Sequence, residues 1–481
     1  LKFRASAVVF LVLIGIFCGS LGTMLWLGPD FFERAGIHVP LPGKSTVDGK
    51  TSIDKIEKTI QLLEENYIGE VDRKKLLNGA LNGVVDSLDD PYTVYMNVDQ
   101  SSSFNDSIES SFEGIGAEVQ KIEGKVQIVS PIKGSPAEKA GIRANDFIIS
   151  VNGESLADLE LFEAVKKIRG PKGTQAKLKI ERAGLKEPIE IVVVRDEIPI
   201  ETVYAEMLQE KIGYIQISQF SMNTAEHFAK ELDDLDAKGM KALIIDVRNN
   251  PGGLLPSVVE ILENFVPRGD VLVQMKSRET EPELIQSDGF GRETPVVVLM
   301  NEGSASASEI MAAALRENIG SKLIGVKTFG KGSVQNTFEE EMADGSNLKI
   351  TVAKWLTPKG NTIDKVGVKP DIEVKQPAFF SVNRMTMAKT LQYDMVSDDV
   401  KTAQLMLTGL TLYNGRTDGY FDRATEKAIE QFQKKQALPV NGKIDKQTGK
   451  VLEEQVIQFI QDKANDTQLK QAIKTVKEMV K

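Results

Sequence analysis

Pro295-Val296-Val297-Val298-Leu299-Met300 runs into Asn301-Glu302-Gly303-Ser304-Ala305-Ser306-Ala307-Ser308-Glu309 and on into Ile310-Met311-Ala312-Ala313-Ala314-Leu315. The apolar residues 296–300 predict a strand buried on both faces, because they show no polar alternation. From Ala307 onward the residues are mostly strong helix formers, so Ser306 falls at a strand-to-helix junction. A helix start leaves N–H groups free to hold the oxyanion that forms when a hydroxyl attacks a carbonyl, and the N–H of Ala307 is the first candidate. Ser304 and Ser308 read as helix N-cap residues.

A serine hydroxyl needs a neighbouring base to take its proton, most often histidine. The chain has two histidines. His38 lies just past an N-terminal apolar run and His227 on a helix expected over 224–232, and neither adjoins a nucleophile-like turn. Thr328-Phe329-Gly330-Lys331-Gly332-Ser333-Val334-Gln335, downstream of Ser306, supplies a lysine instead. Lysine acts as a base when burial lowers its pKa from ~10.4 toward neutrality, a change of ~4 kcal/mol. The flanking Gly330 and Gly332 let Lys331 thread into such a pocket. Gln335 offers an amide that can orient a neutral amine, whereas a carboxylate there would hold the lysine protonated.

Two further segments bear on this site. Asp246-Val247-Arg248-Asn249-Asn250-Pro251-Gly252-Gly253 follows a strand expected over 242–245, and Gly252 or Gly253 is positioned to give a second oxyanion donor by close backbone approach. The run from Gly325 to Gly332 also spells a P-loop up to its last position. There Gly332 lacks the hydroxyl that magnesium needs, and the residues after it read as a strand rather than a phosphate-binding helix.

These motifs resemble those of the carboxy-terminal processing, or tail-specific, proteases, and the resemblance extends over most of the chain. It implies that Ser306, in Ser-Ala-Ser-Ala-Ser-Glu, is the nucleophile, that Lys331, in Phe-Gly-Lys-Gly, is the base, and that Gln335 orients it. The alternative class is a non-enzymatic envelope scaffold that binds peptide tails without turnover. The implied chemistry calls for no metal and no organic cofactor.

Length and composition, 481 residues with 41% hydrophobic, suit several domains with real cores. A net charge of −10 leaves no basic excess for phosphates and argues against a nucleic-acid partner. Residues 7–27 carry no charge and follow Lys2 and Arg4, which predicts a membrane span with a cytoplasmic N-terminus and extracytoplasmic remainder. An uncleaved signal anchor is the first reading and a removed signal peptide the second. The sole cysteine, Cys18, lies inside that span and Phe17 before it departs from a lipoprotein signal, so neither disulfides nor cysteine-bound metal are expected.

The predicted order is an anchor (1–27), a Pro- and Gly-bearing linker (28–52), a two-helix segment (53–110) with a face free for homodimer formation, and a domain at 111–198 similar to PDZ domains. In such domains the loop matching Gly114, Ile115, Gly116 and Ala117 receives a peptide's terminal carboxylate, while the next strand pairs with the peptide. A helix is expected over 158–168, and Arg169 after it is either a surface cation or a contact linking peptide occupancy to the protease. Residues 199–378 alternate strands and helices, an α/β protease core that is ClpP/crotonase-like by resemblance. The turn-and-cap motif Asp418-Gly419-Tyr420-Phe421-Asp422 recurs further along as Asn441-Gly442-Lys443-Ile444-Asp445. Residues 390–460 therefore look like the three-helix peptidoglycan-binding domain, with a glycan ligand or a packing role both open, and 461–481 read as a terminal helix.

The whole is expected to be multidomain α+β, with the PDZ domain of β-sandwich or barrel type inserted before the protease core and a small helical domain after it. The implied partners are protein or peptide substrates with accessible C-termini, the membrane and peptidoglycan. The combination resembles Bacillus-type family members and implies envelope or sporulation signalling.

Overall fold

The computed structural model describes residues 50–480 apart from 110, 123, 158, 184 and 186. The expected membrane span and His38 lie outside the described residues. Among the described residues, no helix is long and apolar enough to cross a membrane.

Helices α1 (Lys50–Asn66) and α2 (Arg73–Asp86) begin the described chain. Arg73 ties them by ion pairs to Glu57 at 2.7 Å and Glu64 at 2.9 Å. Ile56, Leu63, Leu77 and Leu81 fall at the expected helical spacing yet stand exposed, and Tyr67 lies just past the end of α1. Strand β1 (Val94–Met96) and helix α3 (Val98–Ile108) follow, the latter opened by a capping box of Asn97 and Gln100.

The PDZ region comprises β2 (Ser111–Gly114), β3 (Ala117–Ile122), β4 (Lys125–Pro131), the single turn α4 (Pro136–Lys139), β5 (Phe147–Val151), β6 (Glu154–Ser155), α5 (Leu161–Ile168), β7 (Gln175–Glu181), β8 (Ile189–Val194) and β9 (Asp196–Pro199). Strand β7 shows why it forms a sheet with one wet face: Ala176, Leu178 and Ile180 are buried while the residues between them are exposed. The antiparallel order is β3-β4-β5-β7-β8 with β6 on β5, which leaves β3 as an edge. A separate antiparallel pair, β2 with β9, joins the region's entry and exit. Helix α5 starts at Leu161 rather than at 158, because Glu160 takes the N-cap position.

The protease core carries β10 (Val203–Met207), β11 (Ile212–Ile217), α6 (Thr224–Ala237), β12 (Ala242–Asp246), α7 (Leu255–Glu263), β13 (Val271–Ser277), β14 (Glu283–Gln286), β15 (Val296–Met300), α8 (Ala307–Ile319), β16 (Lys322–Gly325), β17 (Ser333–Thr337), α9 (Glu339–Met342), β18 (Asn347–Leu356) and β19 (Ile372–Glu373). Its main sheet runs β10-β11-β12-β15-β16-β19, parallel from β11 onward. A second, antiparallel sheet runs β1-β18-β13-β14 with β17 on β18.

Beyond it lie α10 (Asp398–Gly409), α11 (Arg423–Lys435), α12 (Lys446–Gln461) and α13 (Thr467–Val480). The repeat read from sequence caps two of these helices: Asp422 accepts from Thr425 N and Asp445 from Thr448 N. Each glycine turn is also gripped by a buried glutamine, since Gln404 Oε1 accepts from Gly419 N and Gln433 Oε1 from Gly442 N, both at 3.0 Å.

The main sheet is buried on both faces. Leu243, Ile245, Val296 and Val298 face a cluster with Phe228, Val258, Ile261 and Met311 of α6, α7 and α8. Ala242, Ile244, Val297 and Leu299 face the opposite way, against Leu469, Ala472 and Val476 of α13. The last helix is therefore a layer of the protease core, a partner that its reading as a terminal helix did not assign.

Candidate active site

Ser306 occupies the N-cap of α8 with φ 54° and ψ −114°, a sparsely populated conformation for a residue with a Cβ. The strain is held by the turn around it. Ala305 N donates to Asn250 O at 3.0 Å, Ser308 Oγ to Asn250 O at 2.9 Å, and Ser304 Oγ to Val247 O at 2.7 Å. Neither Ser304 nor Ser308 is the helix cap that their position suggested. Both are fully buried with hydroxyls committed to the 247–250 loop, whereas Ser306 is partly open to solvent. Of the three serines, Ser306 alone joins solvent access to a strand-to-helix elbow.

The loop beyond β12 meets this elbow through its paired glycines. A Cβ on Gly252, at φ 104°, would stand 2.8 Å from both Ala305 O and Ser306 Cβ and 3.1 Å from Ala307 N. One on Gly253, at φ 142°, would stand 2.1 Å from Phe220 O. Only glycine fits either place. The N–H of Gly252 is already spent on Asn250 Oδ1 at 2.8 Å. Among the described residues, the N–H groups of Gly253 and Ala307 make no hydrogen bond. Of the paired glycines, Gly253 is therefore the one with an N–H free to donate.

Lys331 is held between glycines as its neighbours required: a Cβ on Gly332 would lie 2.1 Å from Asp364 N. Its ammonium nitrogen sits 5.2 Å from the centre of the Tyr92 ring. Burial lowers its pKa, the nearby Lys349 lowers it further, and Glu309 pulls it back up. Tyr92 is itself pinned, because Asp90 accepts from Tyr92 N at 3.1 Å and from Thr93 Oγ1 at 2.6 Å, while Thr93 Oγ1 accepts from Thr351 N at 3.0 Å. Gln335 lies on β17 at a register shift against β18, and its Nε2 donates to Ser333 Oγ at 2.6 Å. Among the described residues, no hydrogen bond joins Lys331 Nζ to Ser306 or to Gln335. The strand Ser333–Thr337 after the lysine removes the P-loop reading, which needs a helix there.

Glu309 is the residue whose role the sequence reading missed. It is fully buried, and its Oε2 accepts from Ser306 N at 2.9 Å and Lys331 N at 2.8 Å. Its Oε1 accepts from Gly330 N at 2.8 Å and Thr328 Oγ1 at 2.5 Å. One carboxylate thus joins the serine segment to the lysine segment. Burial pushes its pKa up, against these four bonds. The Ser306-x-x-Glu309 spacing is a capping-box signal that could have flagged it, although its reach to residues 328–331 is not local.

Elsewhere, His227 bonds Glu201 at 3.2 Å. Among the described residues, no group of three or more His, Cys, Asp or Glu is arranged to hold a metal ion. In the PDZ region Ile115 is buried and Gly116 has φ 74°, with Gly116 O accepting from Ile132 N and Ile115 O from Ala137 N, so the Gly114–Ala117 turn is fixed from below. Arg169 packs close to this turn: its Cγ would lie 3.5 Å from a Cβ on Gly114, and its guanidinium stacks 4.7 Å from the centre of the Phe112 ring. A cleft of about 650 Å³ borders Arg169, lined also by Asp99, Ser102, Val165, Lys166 and Ile200.

Comparison with known proteins identifies the family and the domains. Residues 211–374 match the model of peptidase family S41, 127–182 a PDZ domain, 396–452 a peptidoglycan binding domain and 29–100 the activating protease CtpB N-terminal domain. The chain is 46% identical to carboxy-terminal processing protease CtpB of Bacillus subtilis over 95% of its length and 97% of that protein. It is 42% identical to carboxy-terminal processing protease CtpA of the same organism, over 90% and 92%. The photosystem II D1 C-terminal processing protease aligns in structure over 68% of this chain and 88% of that one, at 28% identity and a TM-score of 0.40. On its length-spanning identity to these two Bacillus proteins, the chain belongs to the carboxy-terminal processing proteases, serine peptidases of family S41.

Proposed function

We propose that the chain cleaves proteins presented by their C-terminal tails, using Ser306 as nucleophile and Lys331 as base. The observation that carries this is the strained, solvent-open Ser306, joined through the Glu309 carboxylate to the segment bearing a lysine of lowered pKa. Neutral Lys331 Nζ takes the Ser306 hydroxyl proton as Oγ bonds to the scissile carbonyl carbon, and the carbonyl π pair moves to oxygen. The N–H groups of Ala307 and Gly253 hold that oxyanion. Collapse expels the amine, which leaves with the proton from Lys331. Water then attacks the acyl ester, gives its proton to Lys331 and releases the acid as Ser306 is re-protonated. Gln335 orients the neutral lysine once its amide turns from Ser333.

Tail recognition is assigned to Gly114, Ile115, Gly116 and Ala117. The edge strand β3 supports this, since it offers an unpaired side to an extended peptide beside α5. The absence of a Ser306–Lys331 hydrogen bond among the described residues fits an enzyme whose dyad assembles when a tail binds, with Arg169 as the contact between tail loop and protease. Arg169→Ala is expected to remove stimulation by a saturating tail peptide. Equal stimulation in the variant and the parent would sink this part.

The same reading includes a single membrane anchor at 7–27 with the catalytic region outside the cytoplasm, a homodimer formed through the exposed apolar residues of α1 and α2, and peptidoglycan contact through the helical domain. A ClpP/crotonase-like fold for the core belongs with it.

The direct test treats the enzyme, with and without an apolar tail peptide, with an acylating serine reagent and maps the adduct by mass spectrometry. The expected adduct lies on Ser306 and grows with peptide. An adduct on another serine, with cleavage retained by Ser306→Ala, would overturn the assignment.

A further inference from the structure

Asp466 stands just ahead of α13 and caps it, its Oδ1 accepting from Leu469 N at 2.8 Å. The same carboxylate receives Arg248, with Nη1 at 3.1 Å and Nη2 at 2.7 Å. Gln376 Nε2 adds a third donor at 2.6 Å, and Gln468 Oε1 takes Arg248 Nη1 at 3.1 Å. On its other side Arg248 forks onto Asp246, Nε at 2.9 Å and Nη2 at 2.6 Å, and Tyr214 donates its hydroxyl to Asp246 at 2.7 Å. The side chains of Asp246, Arg248 and Asp466 are 2%, 14% and 11% exposed, so these bonds lie out of water.

An ionic cluster this buried is a poor device for stability alone, because desolvating three charges offsets most of their attraction and apolar packing would serve as well. What a guanidinium held at both ends does supply is a fixed direction. Arg248 lies in the loop that runs from β12 to Gly253. Two residues on, Asn250 bonds Ile217 O and Gly252 N, and its carbonyl takes Ala305 N and Ser308 Oγ beside Ser306. The loop is thus anchored at Arg248 from one side and at Asn250 from the other, with Gly253 at its end.

We infer that Asp466 is a positioning residue for the reaction: through Arg248 it sets the loop that brings the Gly253 N–H to the oxyanion, so the last helix acts on catalysis from the far face of the sheet. This rests on the reading of Gly253 as oxyanion donor. Asp466 touches no reacting atom, and its effect falls on the transition state more than on substrate capture.

The test uses the full chain and a short peptide ester, measured with saturating tail peptide. Asp466→Asn keeps the shape but removes the charge, and Arg248→Lys keeps the charge but removes the fork. Each is expected to lower kcat about 10-fold or more, a fraction of what a lost oxyanion donor costs, with KM changed less than about twofold. Affinity for a peptide aldehyde, which places an oxyanion in the same hole, falls in parallel. Lys470→Ala, an exposed change on the same helix, leaves kcat as it was. Should Asp466→Asn fail to fold, Gln468→Met removes its bond to Arg248, together with the one it gives the Val374 carbonyl, and carries the same test with a loss of a few fold.

Folded Asp466→Asn and Arg248→Lys enzymes with unchanged kcat and aldehyde affinity would overturn the inference, as would a change confined to KM. If Ser306→Ala is inert while these variants match the parent, the positioning role alone has failed. If Ser306→Ala still turns over, the reading of the site beneath it has failed.

Discussion

Lys331→Ala is expected to lower kcat/KM about 10³-fold, the middle of the range for loss of a general base, while raising rather than lowering the melting temperature. The two effects have one cause. Burial and the neighbouring Lys349 disfavour the charged amine, so the folded-state pKa lies below the ordinary lysine value. Between the folded and unfolded pKa values the unfolded chain binds more protons, so stability rises with pH across that window. Below it the folded protein carries an ammonium in a poor place, and removing the side chain removes that penalty. Lys331→Arg separates a base from a structural cation, since arginine keeps its charge at any working pH and is expected to be as inactive as alanine. Lys349→Gln removes the like charge, which raises the Lys331 pKa and moves the rise of kcat/KM to higher pH. The decisive measurements are pH–rate profiles and thermal melts of the four proteins. An active Lys331→Arg enzyme, or a Lys349→Gln profile displaced to lower pH, would remove the lysine from the role of base.

The main sheet was legible because its strands are buried on both faces: residues 242–245 and 296–300 are apolar without alternation, as a strand covered on both sides requires. The serine elbow was legible for a related reason, as small residues separate that strand from a clear helical run. Among its serines, Ser306 was singled out by that junction and by the family resemblance. What was not legible is the commitment of the Ser304 and Ser308 hydroxyls to carbonyls at Val247 and Asn250, on the loop after a different strand, because local pattern carries no trace of those partners. Tyr92 under Lys331, still more remote along the chain, is hidden in the same way. Gln335 was read from its chemistry, whereas the bond its amide makes to Ser333 was not legible. Helix α13 was recognised as a helix but not as a core layer, because its buried face mixes Leu469, Ala472 and Val476 with Gln468 and Thr475. Polar residues dilute a hydrophobic stripe even when, as with Gln468, a bond to the Val374 carbonyl satisfies them.

Glu309→Gln is expected to cost about 3 kcal/mol of stability and about 100-fold in kcat, the reverse of the stability change at Lys331. All four contacts of the carboxylate are donors: Ser306 N and Lys331 N on one oxygen, Gly330 N and Thr328 Oγ1 on the other. An amide can accept on one oxygen only, so two donors lose their acceptor and face an NH₂ group inside a water-free site. The backbone N–H groups cannot turn away without moving the Ser306 elbow or the Gly330-Lys331-Gly332 segment. Nucleophile and base then no longer share a fixed frame, and a displacement on the order of 1 Å costs on the order of 100-fold in a reaction that depends on alignment. The pH behaviour separates this from simple loss of a charge. Burial raises the Glu309 pKa, so the folded state holds a proton to higher pH than the unfolded chain, and this group's contribution to stability declines as pH rises from the unfolded to the folded value. Glu309→Gln is therefore expected to flatten that acid-side dependence as well as to lower the melt. The readouts are thermal melts between pH 4 and 8 and the rate of Ser306 acylation by a peptide ester. A variant with the parent's melting temperature and acylation rate would show that the carboxylate does not join the two segments in any way that catalysis needs.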